Sequence, residues 1–158
     1  PLGRLDALEL YVAQAGTVWA GGGGLTCYNG MTWTDHSGDH RLEKGPVASI
    51  AITSDGSVWV GGDGVSRFNG GSWTHYTLLQ MGITEIGDQG VTSLAIDPAG
   101  ALWVGTDRQG VVRFDGETWT KFTAQDGLAD NTVFSIAVAP DGALWFGTEN
   151  GLSRYFRE

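Results

Sequence analysis

Gly142-Ala143-Leu144-Trp145-Phe146-Gly147, followed after a short gap by Gly151-Leu152-Ser153-Arg154-Tyr155, is one copy of a frame the chain uses four times. The others are Gly100-Ala101-Leu102-Trp103-Val104-Gly105 with Gly110 to Phe114, Gly56-Ser57-Val58-Trp59-Val60-Gly61 with Gly64 to Phe68, and Gly16-Thr17-Val18-Trp19-Ala20-Gly21 with Gly24 to Tyr28. The leading glycines stand 40, 44 and 42 residues apart. A period in the low forties, with several short strands per unit, predicts β-propeller blades. The expected fold is all-β: one domain over residues 1–158, with about four blades of four antiparallel strands. Blade limits fall near 7–36, 47–77, 91–123 and 133–158, and the last blade is incomplete.

Each unit reads as strands A to D, running outward from the axis. Strand A alternates apolar pairs such as Ile50/Ile52 and Leu94/Ile96 with small residues such as Ala51 and Ala95, the period-2 mark of a strand. Strand B carries Trp19, Trp59, Trp103 and Trp145, strand C Tyr28, Phe68, Phe114 and Tyr155, and strand D Trp33, Trp73 and Trp119. All seven tryptophans therefore belong to the repeat and are expected as core between blades. A glycine ends every A–B turn, which predicts positive φ there. Asn29-Gly30, Asn69-Gly70 and Asp115-Gly116 predict two-residue hairpin turns with positive φ at both central positions.

The 26 glycines against four prolines fit many tight turns. A net charge of −9 argues against nucleic acid as a partner, because its binders need a basic face. The same charge argues against docking on an anionic membrane. No apolar run approaches the ~20 residues that span a bilayer, so membrane insertion is not expected. The sequence shows no signal peptide and opens on Pro1, so it reads as a processed or excised segment. Cys27 is the sole cysteine, which rules out an internal disulfide and leaves the compartment open.

Alternating strands sort the connections into two faces. A–B and C–D turns, nearly constant between units, share one face. B–C loops and D–A connections share the other and vary, which is where binding residues are expected. Ligand candidates there are Asp39 and His40, Asp63, Arg108 and Gln109, and Glu149 and Asn150. Glu85, Asp88, Asp126 and Asp130 crowd the D–A connections. Arg67, Arg113 and Arg154 recur at one repeat position, which favours a scaffold arginine paired with a nearby carboxylate over an anion-binding ring. The cluster from Asp35 to His40 could offer zinc ligands, but histidines four apart serve a metal best on a helix and these lie at a strand end. No metal site and no cofactor is expected. Nucleophile-elbow, zinc-protease and phosphate-loop motifs are absent, so no catalytic residues are assigned.

Residues 91–123 carry the frame Val91, Ser93-Leu94, Asp97, Gly100, Leu102-Trp103-Val104-Gly105-Thr106, Gly110, Arg113-Phe114-Asp115-Gly116 and Trp119. This resembles the two-component regulator propeller repeat, and residues 125–131 resemble its linker. The likeness covers about residues 47–155. The first unit departs from it, with Gly22-Gly23 in the B–C loop and Cys27 in place of the arginine. The resemblance implies a periplasmic or extracellular sensor domain of a hybrid histidine kinase. It implies seven-bladed rings and recognition of small molecules, often carbohydrate fragments. A weaker similarity links the Gly-x-Leu-Trp-Phe frame to virginiamycin B lyase.

Three functions follow as expectations. The first is a non-catalytic sensor-type module that binds a small polar ligand or a protein through the B–C and D–A loops. The second is a structural or assembly unit, engineered or fragmentary, that oligomerises into a closed ring: either two copies complete an eight-bladed ring, or the chain is a fragment of a longer propeller. The third is a propeller lyase.

Overall fold

The computed structural model describes residues 7–13, 16–38, 46–84 and 90–156. Asp39, His40, Glu85 and Asp88 lie outside them. Four antiparallel sheets follow one another along the chain. The first holds β1 (Ala7–Val12), β2 (Val18–Gly22), β3 (Leu25–Tyr28) and β4 (Trp33–Asp35). The second holds β5 (Ser49–Ile52), β6 (Val58–Gly61), β7 (Val65–Phe68) and β8 (Trp73–Tyr76). The third holds β9 (Val91–Ile96), β10 (Leu102–Thr106), β11 (Val111–Phe114) and β12 (Trp119–Phe122), and a short 3-10 turn at Ala124–Asp126 leads onward. The fourth holds β13 (Val133–Val138), β14 (Leu144–Thr148) and β15 (Gly151–Tyr155). Each sheet is a meander, and β1, β5, β9 and β13 lie side by side. Strand A is therefore the innermost strand, as its small residues require.

Every blade has two faces. Residues in register with the strand-B tryptophan point forward to the next blade: Ala51, Trp59 and Arg67 in the second, Ala95, Trp103 and Arg113 in the third. Residues in the alternate register point back: Ile50, Val60 and Ser66. Each seam thus joins a forward face to a rear face, and three contacts repeat there.

The first contact is aromatic. Trp19, Trp59 and Trp103 meet Phe68, Phe114 and Tyr155 of the following blade, with centroids 6.1, 5.8 and 5.0 Å apart. Each also stacks on a strand-D ring of its own blade, His36, Tyr76 or Phe122. His36 is therefore an aromatic seam residue, with its Nε2 3.7 Å from Cys27 Sγ.

The second contact explains the glycine that follows each Trp-x. A Cβ on Gly21 would come within 2.3 Å of Val47 Cγ1, and one on Gly61 within 2.6 Å of Val91 Cγ1. The valine that opens strand A of the next blade fills the space left by hydrogen.

The third contact is polar. Ser49 Oγ accepts from Leu94 N–H at 3.0 Å and Ser93 Oγ accepts from Ile136 N–H at 3.1 Å.

Glycines 16, 56, 100 and 142 close the A–B turns with φ between +79° and +86°, as the sequence requires. The C–D connections differ from expectation. They are four residues long, and only their glycines 30, 70 and 116 take positive φ. The preceding Asn or Asp shapes the turn through its side chain. Asn69 Oδ1 accepts from Gly71 and Ser72 N–H at 3.1 and 2.9 Å, and Asp115 Oδ1 from Glu117 and Thr118 N–H at 3.1 and 2.9 Å. An Asx side chain that captures two amides shapes the turn without itself turning left-handed, so the glycine alone takes positive φ.

The tryptophans also divide. Trp19, Trp59, Trp73 and Trp103 are buried, but Trp33 is 55% exposed. Trp119 and Trp145 are half-buried. Trp33 lies on the rear face of the first blade, and no described blade packs there.

These turns make the fold acid-sensitive. The Thr118 and Glu117 amides, with Arg113 behind them, hold Asp115 down at about 2. The Thr53 hydroxyl, the Ser57 amide and Arg67 hold Asp55 at about 2. Both folded-state values lie below the ordinary aspartate value of 3.8. Their stabilisation is present above that value and is lost as pH falls toward about 2. The thermal midpoint is expected to fall across that window in a pH series, and Asp115→Asn to flatten the slope. A midpoint equally steep in the variant excludes Asp115 as a contributor.

Candidate functional site

Measured between paired residues, Gly21 to Leu25 and Gly61 to Val65, the B–C connections of the first two described blades are shorter than those from Gly105 to Val111 and Gly147 to Leu152. Gly22 N–H bonds to Gly24 O at 2.9 Å and Gly62 N–H to Gly64 O at 3.0 Å. The chain ahead of each following blade ties onto these loops, Val47 N–H to Gly22 O at 2.7 Å and Val91 N–H to Gly62 O at 2.9 Å. Short loops leave a cleft of about 180 Å³ at the first seam, on the variable face. Leu25, Val47 and Val60 form its apolar base, and Ser37, Asp63, Ser66 and His75 supply its polar groups.

Glycines set the shape of this cleft. A Cβ on Gly24 would come within 2.1 Å of Ser37 Oγ, one on Gly62 within 2.7 Å of Pro46 O, and one on Gly64 within 2.8 Å of His75 Cε1. Ser37 is fixed from below, because its Oγ accepts from Leu25 N–H at 3.2 Å and its own N–H donates to Asp35 Oδ1 at 2.8 Å. The Ser37 hydroxyl, and after it the Ser37 amide, hold the Asp35 carboxyl below its ordinary range. Ser66 and His75 face each other across β7 and β8, with Oγ and Nδ1 3.1 Å apart. Ser66 is only 4% exposed, which makes its hydroxyl a poor nucleophile for an incoming substrate and a good anchor for the imidazole. The set offers hydroxyl, imidazole and carboxylate groups around an apolar base, which suits a small polar molecule.

Of the sequence candidates, Asp63 alone among the described ones lines this cleft. Arg108 and Gln109 sit on the third B–C loop. Arg108 takes φ +69° and lies 3.9 Å from Asp107, and Gln109 Oε1 accepts from Lys121 Nζ at 2.5 Å. Glu149 and Asn150 belong to the fourth blade. Glu149 N–H bonds to Thr132 O at 3.0 Å. Asn150 Nδ2 donates to Asp130 Oδ2 at 2.7 Å, one of the contacts, after the Thr132 amide, that lower the Asp130 pKa. The candidates thus spread over three blades and do not converge. Asp39 and His40 lie outside the described residues.

Ser66 occupies the repeat position of Thr26, Val112 and Ser153, so its hydroxyl recurs with the repeat, whereas the strand-D residue paired with it changes from Asp35 to His75 to Lys121 and is the variable signal in the sequence. At the second seam Leu78, Met81 and Ile83 are buried in the core between the second and third blades.

The arginines behave as scaffold. Arg67 and Arg154 pair with the A–B turn aspartates Asp55 and Asp141 at 3.3 and 3.0 Å. Arg113, whose turn has Ala99 instead, lies 3.7 Å from Asp115. Each guanidinium lies over its blade's strand-B tryptophan, 5.4–5.9 Å from the ring centroid. No group of three or more metal-ligating side chains occurs among the described residues, and no described helix is long and apolar enough to cross a membrane.

No curated protein sequence matches the chain. Solved structures do. The extracellular domain assigned to a hybrid two-component system of B. thetaiotaomicron superposes with a TM-score of 0.75 at 23% identity, over 92% of this chain and 21% of that one. Virginiamycin B lyase from Staphylococcus aureus superposes with a TM-score of 0.71 at 20% identity, over 95% of this chain and 55% of that one. PorZ, a surface component of the type-IX secretion system of Porphyromonas gingivalis, gives 0.71 at 19% identity, over 92% and 25%. The chain spans about a fifth of the length of the B. thetaiotaomicron domains it matches. At these identities the likeness shows the fold, a β-propeller. The two-component regulator propeller family matches residues 85–108 and 127–150, the stretches around β9–β10 and β13–β14. The chain is thus a β-propeller that carries two-component regulator propeller repeats in its third and fourth blades.

Proposed function

We propose that the chain is a non-catalytic, sensor-type binding module. Its cleft at the first seam takes a small, neutral, polar ligand, with carbohydrate as the leading class. The observation that carries this reading is the convergence of Ser37, Asp63, Ser66 and His75 around an apolar base, on the face where the repeat varies. The net charge of −9 disfavours polyanionic ligands and leaves neutral hydroxyl-rich molecules as the best match to a carboxylate and an imidazole. The similarity to sensor extracellular domains supports a periplasmic or extracellular setting. The low exposure of Ser66 supports binding over nucleophilic chemistry.

Calorimetric titration of the chain with a panel of neutral mono- and oligosaccharides tests the reading. At least one is expected to bind, and Asp63→Ala to weaken it at least about tenfold, or ~1.4 kcal/mol. Gly24→Leu, which places a side chain onto Ser37, is expected to abolish binding. Binding unchanged by both substitutions places the ligand elsewhere.

A further inference from the structure

We propose that the chain holds a second ligand site, on the face of the constant turns at the second seam, and that it takes a small neutral molecule bearing a carboxamide. The site lies at the opposite strand ends from the cleft at the first seam, and the inference does not depend on that cleft. Both of its walls belong to described blades.

A cavity of about 210 Å³ opens there between the second and third blades. Thr53 and Asp55 of an A–B turn, with Trp59 and Arg67 of the forward face, form one wall. Leu102, Phe114 and Asp115 of the third blade form the other. Trp59 is 4% exposed, yet its Nε1 makes no hydrogen bond, and neither does the buried Nε of Arg67. Buried donors without acceptors are rare in folded proteins, and each calls for an explanation.

The third seam shows what the second lacks. A cavity of about 180 Å³ recurs there, with Asp97 in its wall. Asp97 and Thr53 hold the same turn position. Asp97 N–H bonds to Ala101 O at 2.9 Å and Gly100 N–H to Asp97 O at 2.9 Å, while Thr53 N–H bonds to Ser57 O at 3.0 Å and Gly56 N–H to Thr53 O at 2.9 Å. In the third blade Trp103 Nε1 donates to Asp97 Oδ2 at 3.0 Å. In the second blade Thr53 stands in place of that carboxylate. Its hydroxyl is committed as a donor to Ser57 O at 3.1 Å and to Asp55 Oδ1. Arg67 is also only partly used: Nη2 donates to Ser57 Oγ at 2.9 Å and to Asp55 Oδ2 at 3.3 Å, and Nε has no partner. A ligand oxygen at the second seam therefore supplies what Asp97 supplies at the third.

Charge and shape select the ligand. The carboxylates of Asp55 and Asp115 line the cavity against one arginine. An anionic ligand adds a third negative charge beside a single guanidinium, and its desolvation goes uncompensated. A carboxamide carries no charge. Its oxygen accepts from the Trp59 and Arg67 N–H groups, and its NH₂ donates to the Asp55 and Asp115 carboxylates. Leu102 and Phe114 offer an apolar wall to its hydrocarbon part.

Nitrogen–proton correlation NMR of the whole chain, titrated with acetamide, benzamide and benzoate, tests the site. The Trp59 indole peak is identified by its loss in Trp59→Phe. A carboxamide is expected to move that peak to lower field, as a new hydrogen bond does, and to leave the Trp103 peak in place, because Asp97 already holds that indole. Benzoate, with the shape of benzamide but a charge, is expected to bind at least about tenfold more weakly. Thr53→Asp combined with Asp55→Ala copies the Asp97-Pro98-Ala99 pattern and supplies the acceptor from the chain itself. That variant is expected to lose carboxamide binding and to show a low-field Trp59 indole without ligand, with cooperative thermal unfolding as the check that it is folded. A wild-type Trp59 indole that neither carboxamide moves overturns the proposal. So does benzoate that binds as tightly as benzamide, which assigns the cavity to an anion, and so does unchanged binding in the folded double variant.

Discussion

Trp103→Ala is expected to lower stability by about 3–5 kcal/mol. Trp103 is 1% exposed and sits at the centre of the third seam. Phe122, Phe146 and Tyr155 surround its ring, with centroids 5.5, 5.7 and 5.0 Å away. Truncation leaves a cavity between two sheets that are held apart by their own backbone ladders, so collapse fills little of it. A second loss adds to the first. Trp103 Nε1 donates to Asp97 Oδ2 at 3.0 Å, and Asp97 is itself buried. Its other oxygen accepts from Ala99 and Ala101 N–H, both at 2.9 Å. Removal of the indole strips one donor from a buried carboxylate, which is costly in its own right. Denaturant unfolding monitored by far-UV circular dichroism measures the effect. A midpoint within error of the wild type would show that the seam does not depend on this ring.

Gly110→Ala is expected to cost about 3 kcal/mol or more. Gly110 has φ +80°, and a Cβ built there falls 2.1 Å from the carbonyl oxygen of Phe122. The obstacle is backbone in β12 and cannot swing aside as a side chain would. Gly110 N–H also bonds to Asn131 O at 2.7 Å, which ties the loop to the start of the fourth blade. The left-handed backbone alone accounts for roughly 1–2 kcal/mol, and the clash supplies the rest. Gly116→Ala separates the two contributions. Gly116 has φ +105° and nothing within 4 Å of its Cβ position, so only the conformational part is expected there. Equal losses at the two sites would mean that the close approach to Phe122 carries no energy.

The relation between repeat and site explains why one was legible in the sequence and the other was not. The recurring Trp, Gly and Ser residues answer to forces that recur with each blade. A forward tryptophan needs a ring from the next blade, and a strand-B glycine needs the next valine. Such residues report the architecture wherever they appear. The cleft depends on a strand-D position that varies between blades, where His75 stands in the second, and on loops from two blades. Asp63 could be suspected because it lies on a variable loop. Ser66 and His75 sit inside strands, where a polar residue looks like ordinary alternation until the neighbouring blade is in place. Arg108, Gln109, Glu149 and Asn150 share the variable face with Asp63 but lie one and two blades further along the chain. The turn chemistry was also only partly readable. Asn-Gly signals a turn, but the choice between a left-handed residue and an Asx side chain depends on loop length.

By itself, the sequence determined that the chain is a series of β-blades, which strand lies innermost, where the A–B turns need glycine, and that a strand-B tryptophan anchors each blade. These are local or periodic properties, fixed by side-chain alternation and by backbone angles open to few residues. Only the tertiary structure decided which variable residues converge, which aspartate each repeat arginine meets, and that Trp33 and Leu152 stay exposed while their repeat equivalents are buried. Burial depends on what stands opposite. A periodic sequence gives each blade the same two faces, and only their stacking shows which of them are covered.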